Sequence, residues 1–187
     1  MQINKSNNEK ARAALLSAGL SDPVLSFALA QAEYESNGFD SNLFASVNNG
    51  SGIKFVGQSF ATDSGIVAKD GGTFAAYDSL DLWAQDFIRV ISLQLPGNDI
   101  GAPIDAKNLA DYVHRLELNN YFGAASESSY LSGLKKYLDS APVVADNALN
   151  IASYAKQLNK PDLIIGSIVF VILILLTYLI FKRNGKK

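Results

Sequence analysis

The chain predicts a mainly α domain with one small β-hairpin set into it, an α+β class, followed by a C-terminal transmembrane helix. Three observations carry that reading. Apolar residues recur at helical spacing in several separate stretches. Between Asn42 and Tyr77 the spacing gives way to short apolar runs punctuated by Gly50, Gly52, Gly57, Gly65, Gly71 and Gly72, as in loops and hairpins. From Leu163 to Phe181 there are nineteen residues without a charge, fifteen of them Leu, Ile, Val or Phe. At about 1.5 Å per residue such a run matches the thickness of a bilayer core.

The elements follow in order. Ser6-Asn7-Asn8-Glu9 fits a capping box, Ala11, Ala14, Leu15 and Ala18 repeat with helical spacing, and Gly19 is placed to end the turn, so residues 7–18 are expected to be helical. Asp22 as N-cap and Pro23 at the first helical position open a second helix through Val24, Leu25, Ala28, Leu29, Ala32 and Glu35, stopping near Asn37-Gly38. A loop then leads to a hairpin built from runs such as Ile53-Lys54-Phe55, Ile66-Val67-Ala68 and Thr73-Phe74-Ala75. Helical patterning resumes at Ser79 with Leu82, Trp83, Phe87, Val90 and Ile91 on one side, and again over Asp105–Leu118. After a turn at Asn119–Gly123, Ser126 caps a last helix carrying Tyr130, Leu131, Leu134 and Leu138. The domain organisation is therefore residues 1–139 as the folded domain, 140–162 as a linker, 163–181 as the transmembrane helix and 182–187 as a basic tail.

Composition narrows the chemistry. The 187 residues hold 16 Lys and Arg against 18 Asp and Glu, a balance that does not point to nucleic acid as a partner. The charge is unevenly placed. Residues 159–187 carry five bases and one acid, which leaves residues 1–158 with eleven bases and seventeen acids. There is no Cys and a single His, His114, so disulfides, thiolate catalysis and a His-rich metal cluster are excluded, and neither metal nor organic cofactor is implied. His114 reads as a surface or satisfied helix residue. Chemistry must run on carboxylates, hydroxyls, amides or the backbone.

The second helix supplies a candidate. At about 100° per residue from Leu25, Val24 lies near −100°, Ala28 near −60°, Ala32 near −20° and Glu35 near −80°, whereas Glu33 comes out near +80°. Glu35 thus falls inside the apolar arc, and Glu33 faces another environment. A carboxyl against an apolar wall has its charged form disfavoured and keeps its proton to higher pH, as a general acid must.

The segment Ala30-Gln31-Ala32-Glu33-Tyr34-Glu35-Ser36-Asn37-Gly38-Phe39 resembles the catalytic segment of the glucosaminidase family of bacterial cell-wall hydrolases, whose pattern is roughly Ala-Gln-x-x-x-Glu-[Ser/Thr]-Gly. Leu43-Phe44 and Asn48-Asn49-Gly50-Ser51-Gly52-Ile53-Lys54 look like that family's Asn-Leu-Phe-Gly-Ile-Lys motif. Phe74-Ala75-Ala76-Tyr77-Asp78-Ser79 looks like its Phe-Arg-x-Tyr-x-Ser strand end, and Tyr121 to Tyr130 resembles its late Gly-Tyr-Ala-Thr-Asp-Pro-x-Tyr motif. The resemblance covers about residues 10–139. Phe39, Ala75 and Asn120 depart from it, standing where Trp or Gly, Arg, and Gly are usual.

The resemblance implies a lysozyme-like fold, cleavage of peptidoglycan glycan strands, Glu35 as general acid, and Tyr121 as a hydroxyl near the cleft. Asn49, Tyr77 and Phe39 are the expected substrate-binding positions, Tyr77 as an aromatic ring able to stack on a sugar. Asp63 is similar in place to the family's hairpin Glu and is the preferred second carboxylate, with Asp70 behind it as a residue that a turn explains equally well. An inverting enzyme needs the two carboxyls about 6.5–9.5 Å apart and a retaining one about 5–5.5 Å. Without a second carboxylate, the substrate's N-acetyl oxygen serves as nucleophile, or the muramic 6-hydroxyl does, as in a lytic transglycosylase. Trp83 reads as core rather than as a sugar platform. A membrane-tethered glycan-binding module without turnover, and a membrane scaffold with no glycan role, are the readings from other classes.

The expected location is a membrane, with the anchor at the C-terminus and a lipid bilayer as second partner. The basic flank Lys182-Arg183 favours the cytoplasmic side and so puts the domain on the opposite face, yet Met1 to Leu20 does not read as a secretory signal. Two settings reconcile these: the internal membrane of a bacteriophage, whose virion carries the enzyme to the wall, or a bacterial cytoplasmic membrane with insertion by another route.

Overall fold

The computed structural model describes residues 4–123 and 125–140. These form a mainly helical unit with one small two-stranded antiparallel sheet. The expected linker, transmembrane helix and basic tail lie outside the described residues. Among the described residues no helix is long and apolar enough to cross a membrane.

Helix α1 (Lys5–Ser17) buries Ala11, Ala14 and Leu15. Its cap differs from the expected capping box at Ser6: Asn4, two residues earlier, takes the cap position and accepts the Asn7 N–H at 3.3 Å. Asn reaches a free first-turn N–H as well as Ser does, so two adjacent candidates compete. At the other end Gly19, with φ +106°, lets its own N–H reach Leu16 O and that of Leu20 reach Leu15 O, closing the helix as expected.

Helix α2 (Val24–Glu35) is the central helix. Every residue from Val24 to Glu33 except Ser26 is buried, because α2 meets α1 on one side and two later helices on others. An apolar helix surrounded in this way has no single inward stripe. Asp22 does not cap a backbone N–H as expected; its Oδ1 accepts the Ser26 hydroxyl at 2.6 Å, while the first-turn N–H of Leu25 goes to Ser21 O.

Beyond α2, Asn37, Gly38 and Phe39 all take left-handed φ (+53°, +71° and +61°). For Phe39 that conformation costs on the order of 1–2 kcal/mol. The turn is held by Ser36, whose hydroxyl donates to Ala32 O and accepts the Phe39 N–H, and by Asn7 of α1, whose amide donates to Phe39 O at 3.0 Å. It drives the Phe39 ring into the core beside Phe44 and Trp83.

The expected loop after Asn42 begins instead with a short helix, α3 (Asn42–Val47), capped by Ser41. Six residues carry too little periodicity to be recognised. The hairpin consists of β1 (Thr62–Val67) and β2 (Thr73–Ala76). Ile53-Lys54-Phe55 joins it along the outer edge of β2, through Phe55 N–H to Thr73 O and Ala75 N–H to Ile53 O. The register jumps between Asp63↔Ala75 and Val67↔Thr73, so β1 bulges at Ser64-Gly65-Ile66.

Helix α4 (Leu80–Ile91) is capped by Ser79 and buries Trp83, Ala84, Phe87 and Ile91, close to the expected face. The Trp83 ring stacks on Phe87 at 5.6 Å and meets Phe39 edge-on at 6.5 Å. Its indole N–H donates to Ser51 Oγ at 3.0 Å, so Trp83 is core. A Cβ on Gly50 would stand 2.9 Å from that indole, which is why glycine is required there. The stretch expected as one helix over Asp105–Leu118 divides into a single 3-10 turn at Pro103–Asp105 and helix α5 (Leu109–Leu118). Asn108 caps α5 and interrupts the run. Helix α6 (Glu127–Ser140) begins after Ser126, whose hydroxyl accepts the Ser129 N–H, and packs along α2 and α5.

Candidate active site

A cleft of about 730 Å³ opens beside the end of α2. Its walls come from three sources: Glu35 at the last turn of α2, the hairpin side with Lys54 and Asp70, and the α4 and post-α5 side with Arg89, Tyr121 and Phe122.

Glu35 stands open to solvent on this wall, and its Oε1 accepts the Tyr130 hydroxyl at 2.5 Å. Its carboxyl is nevertheless raised above the ordinary value of 4.5 because surrounding protein strips water from it; the Tyr130 hydrogen bond pulls the other way and loses. Open access and lost hydration coexist on a concave wall, where a probe reaches one side of the carboxyl while protein crowds the other. Tyr130 is fixed by stacking on Phe122 at 4.2 Å and by an edge-on contact with Tyr34 at 5.2 Å.

Tyr121 also lines the cleft, its hydroxyl donating to Ser51 O at 3.2 Å. Burial first and the nearby Glu35 charge second push its ionisation well up, so it stays a neutral hydroxyl. Beneath it lies Gln31, wholly buried, whose Oε1 accepts the Tyr112 hydroxyl. The Gln31 Nε2 falls short of hydrogen-bond geometry with any of the described residues, although the Gln31 side chain stands near enough to Tyr121 to oppose the upward push of burial. The Gln of the Ala-Gln pattern therefore supports the cleft floor from below.

The other expected site residues separate from this pair. Asp63 is not among the residues lining the cleft. Its Oδ1 accepts the Gly65 N–H at 2.9 Å across the β1 bulge, and that bond, with help from the Thr73 hydroxyl, lowers its pKa. Asp70, ranked second from sequence, does line the cleft. It sits in the turn before Gly71 and Gly72 and pairs with Lys54 Nζ at 2.7 Å, which holds its carboxyl below the ordinary value.

Asn49, Tyr77 and Phe39 are placed in the interior. Asn49 donates to Ile53 O and Ala75 O and accepts from Ile53 N–H, tying the loop after α3 to β2. The Tyr77 hydroxyl donates to buried Asp86 at 2.7 Å, and Phe39 is 1% exposed. Each has a structural task that removes it from the cleft surface.

Tyr130 and Arg89 were not singled out by sequence reasoning. Tyr130 lies 95 residues from its partner Glu35 and could have been found only through the second Tyr of the late motif. His114 is half-exposed and bonds Glu127 at 3.3 Å. With Glu117 it forms a group of possible metal ligands outside the cleft.

No protein-family model matches the chain, and no match is found among curated proteins. Among solved structures, the chain is similar to the catalytic domain of the autolysin Auto from Listeria monocytogenes, with 22% identity over 73% of this chain and 80% of that one and a TM-score of 0.45.

Proposed function

We propose that the protein cleaves the glycan strands of peptidoglycan, with Glu35 as general acid. The observation that carries the reading is the Glu35 carboxyl: it lines a cleft of about 730 Å³, desolvation raises it above its ordinary value, and it accepts the Tyr130 hydroxyl. Protonated Glu35 gives its proton to the glycosidic oxygen as that bond breaks, and its carboxylate then takes a proton from the incoming nucleophile. Tyr121, whose O–H is held by Ser51 at the cleft wall, offers its hydroxyl oxygen as an acceptor for a substrate amide N–H or a water.

A second route within this reading is favoured by the hairpin. Asp63 is engaged by the bulge and Asp70 by Lys54, so neither stands as a free base. Attack by the substrate's own N-acetyl oxygen or muramic 6-hydroxyl then completes the cut, the latter being lytic transglycosylation. The reading includes a lysozyme-like fold and a bilayer tether at residues 163–181, in a phage or bacterial membrane; these rest on the sequence resemblance and on hydropathy.

The test is digestion of purified peptidoglycan by the full-length chain, with mass spectrometry of the released ends. Reducing N-acetylglucosamine ends identify a glucosaminidase, reducing muramic acid ends a muramidase, and anhydro-muramic ends a transglycosylase. Glu35→Gln is expected to lower release by about 10²–10⁴-fold. Absence of any release from a well-folded wild-type chain would contradict the proposal.

A further inference from the structure

Arg89, a cation that lines the same cleft as Glu35, is built in an unusual way. Asp86 on α4 is wholly buried, and both of its oxygens are occupied: Oδ2 accepts the Tyr77 hydroxyl at 2.7 Å and Gln58 Nε2 at 3.0 Å, while Oδ1 accepts Arg89 Nε at 2.6 Å. Gln58 is itself oriented, donating to Lys54 O at 3.1 Å and accepting the Val56 N–H at 2.7 Å. A buried carboxylate with three donors arranged around it is costly to form, and here it grips the guanidinium by one nitrogen only. The two terminal Nη nitrogens of Arg89 bond to none of the described residues, although the side chain is only 36% exposed and lines the cleft. Such a fixed, half-used guanidinium fork matches a planar oxyanion and is preorganised to take one. Lys54, also at the cleft, is neutralised by Asp70, which leaves Arg89 as the cleft cation whose donors are open among the described residues.

Resting on the glycan reading above, we propose that Arg89 is the subsite that reads the carboxylate of a muramic acid residue, the lactyl carboxylate where no stem is attached and a stem carboxylate where the lactyl group is amide-linked to a peptide. The buried Asp86–Tyr77–Gln58 cluster serves to aim it. A neutral chitin-like strand lacks those groups, so the subsite distinguishes wall glycan from other N-acetylated glycans. It also gives the buried Tyr77 a role at one remove: it positions the residue that binds substrate.

The test uses the full-length Glu35→Gln chain, which holds substrate without turnover, and calorimetric titration with teichoic-acid-free soluble glycan fragments. One set, free of peptide stems, keeps its lactyl carboxylates; the other has them converted to methylamides. Loss of one charged hydrogen-bond pair is expected to weaken binding about tenfold for the amidated set. Adding Arg89→Gln should bring the two sets to within about twofold of each other by weakening only the charged one. Should Arg89→Gln leave Asp86 unpaired and fail to fold, Arg89→Lys replaces it. Its single nitrogen, held by Asp86, has no second edge to offer, and the preference should drop by about fivefold. Equal affinity of the Glu35→Gln chain for both sets, or full preference retained in the Arg89 variant, overturns the assignment while leaving the glycan reading intact. Binding of neither set overturns both.

Discussion

Glu33 and Glu35 stand two residues apart on α2 and both hold their protons above the ordinary carboxyl range, yet they face opposite surroundings. Glu33 is 1% exposed and looks toward α1, where Oε1 accepts Asn8 Nδ2 at 2.5 Å and Oε2 has no partner among the described residues. Burial raises its pKa to about 7 against the Asn8 bond. Glu35 looks into the cleft, with solvent on one side and Tyr130 on the other. The difference teaches that a raised carboxyl pKa marks desolvation, and that only access to a ligand turns desolvation into chemistry. Glu33 has the larger burial and no access. The comparison can be broken or sharpened at three points.

The largest effect is expected in stability at Glu33. Its folded pKa of about 7 exceeds the unfolded 4.5, so between these values the folded state binds more protons than the unfolded one. Stability is therefore fully present below about pH 4.5 and falls as pH rises to about 7, by a contribution on the order of 3 kcal/mol. Urea unfolding between pH 4.5 and 8 should show this fall in the wild type and a flatter profile in Glu33→Gln. Identical slopes in the two proteins would remove Glu33 from the account of stability.

Next comes the seam between the two carboxyls. Tyr34 lies between them and packs on α6 at Gly133, where a Cβ would stand 2.5 Å from its ring. The ring meets Tyr130 edge-on at 5.2 Å and Tyr137 at 6.2 Å, so swinging aside gives up both contacts. Gly133→Ala should cost about 1–3 kcal/mol by overpacking, more than the helix propensity it gains. A raised urea midpoint would show that α6 yields and the seam is loose.

The smallest effect is at Tyr130. Its hydroxyl lowers the Glu35 pKa, so Tyr130→Phe, whose ring still stacks on Phe122, should let that pKa rise further. The basic limb of the pH–rate profile then moves to higher pH. A limb that stays or moves down would mean Tyr130 is not the partner that holds Glu35.

Much of this was legible in the residues, and the failures are physical. Repeats in the two long apolar helices and the Ser79 and Ser126 caps gave elements close to those found, and the three apolar runs of the glycine-rich region all meet in the hairpin. The helical wheel put Glu35 toward an apolar wall, where it lies. It said nothing of Glu33's burial, because a wheel assumes one buried side and α2 is enclosed nearly all round. Choosing between Asp63 and Asp70 required the bulge at Gly65, which turns on backbone conformation and leaves no residue pattern beyond one glycine. Asn49 and Tyr77 were read as sugar contacts because side chains that can bind a sugar can equally bind buried backbone and a buried carboxylate.

The most direct measurement of the central claim sets three full-length proteins against purified peptidoglycan at one pH: wild type, Glu33→Gln and Glu35→Gln, each first shown to be folded by near-ultraviolet circular dichroism. Release of glycan fragments by wild type and Glu33→Gln, with none from Glu35→Gln, is the expected result. Release from Glu35→Gln at the wild-type rate, or its loss in a folded Glu33→Gln, would contradict the assignment of the two carboxyls.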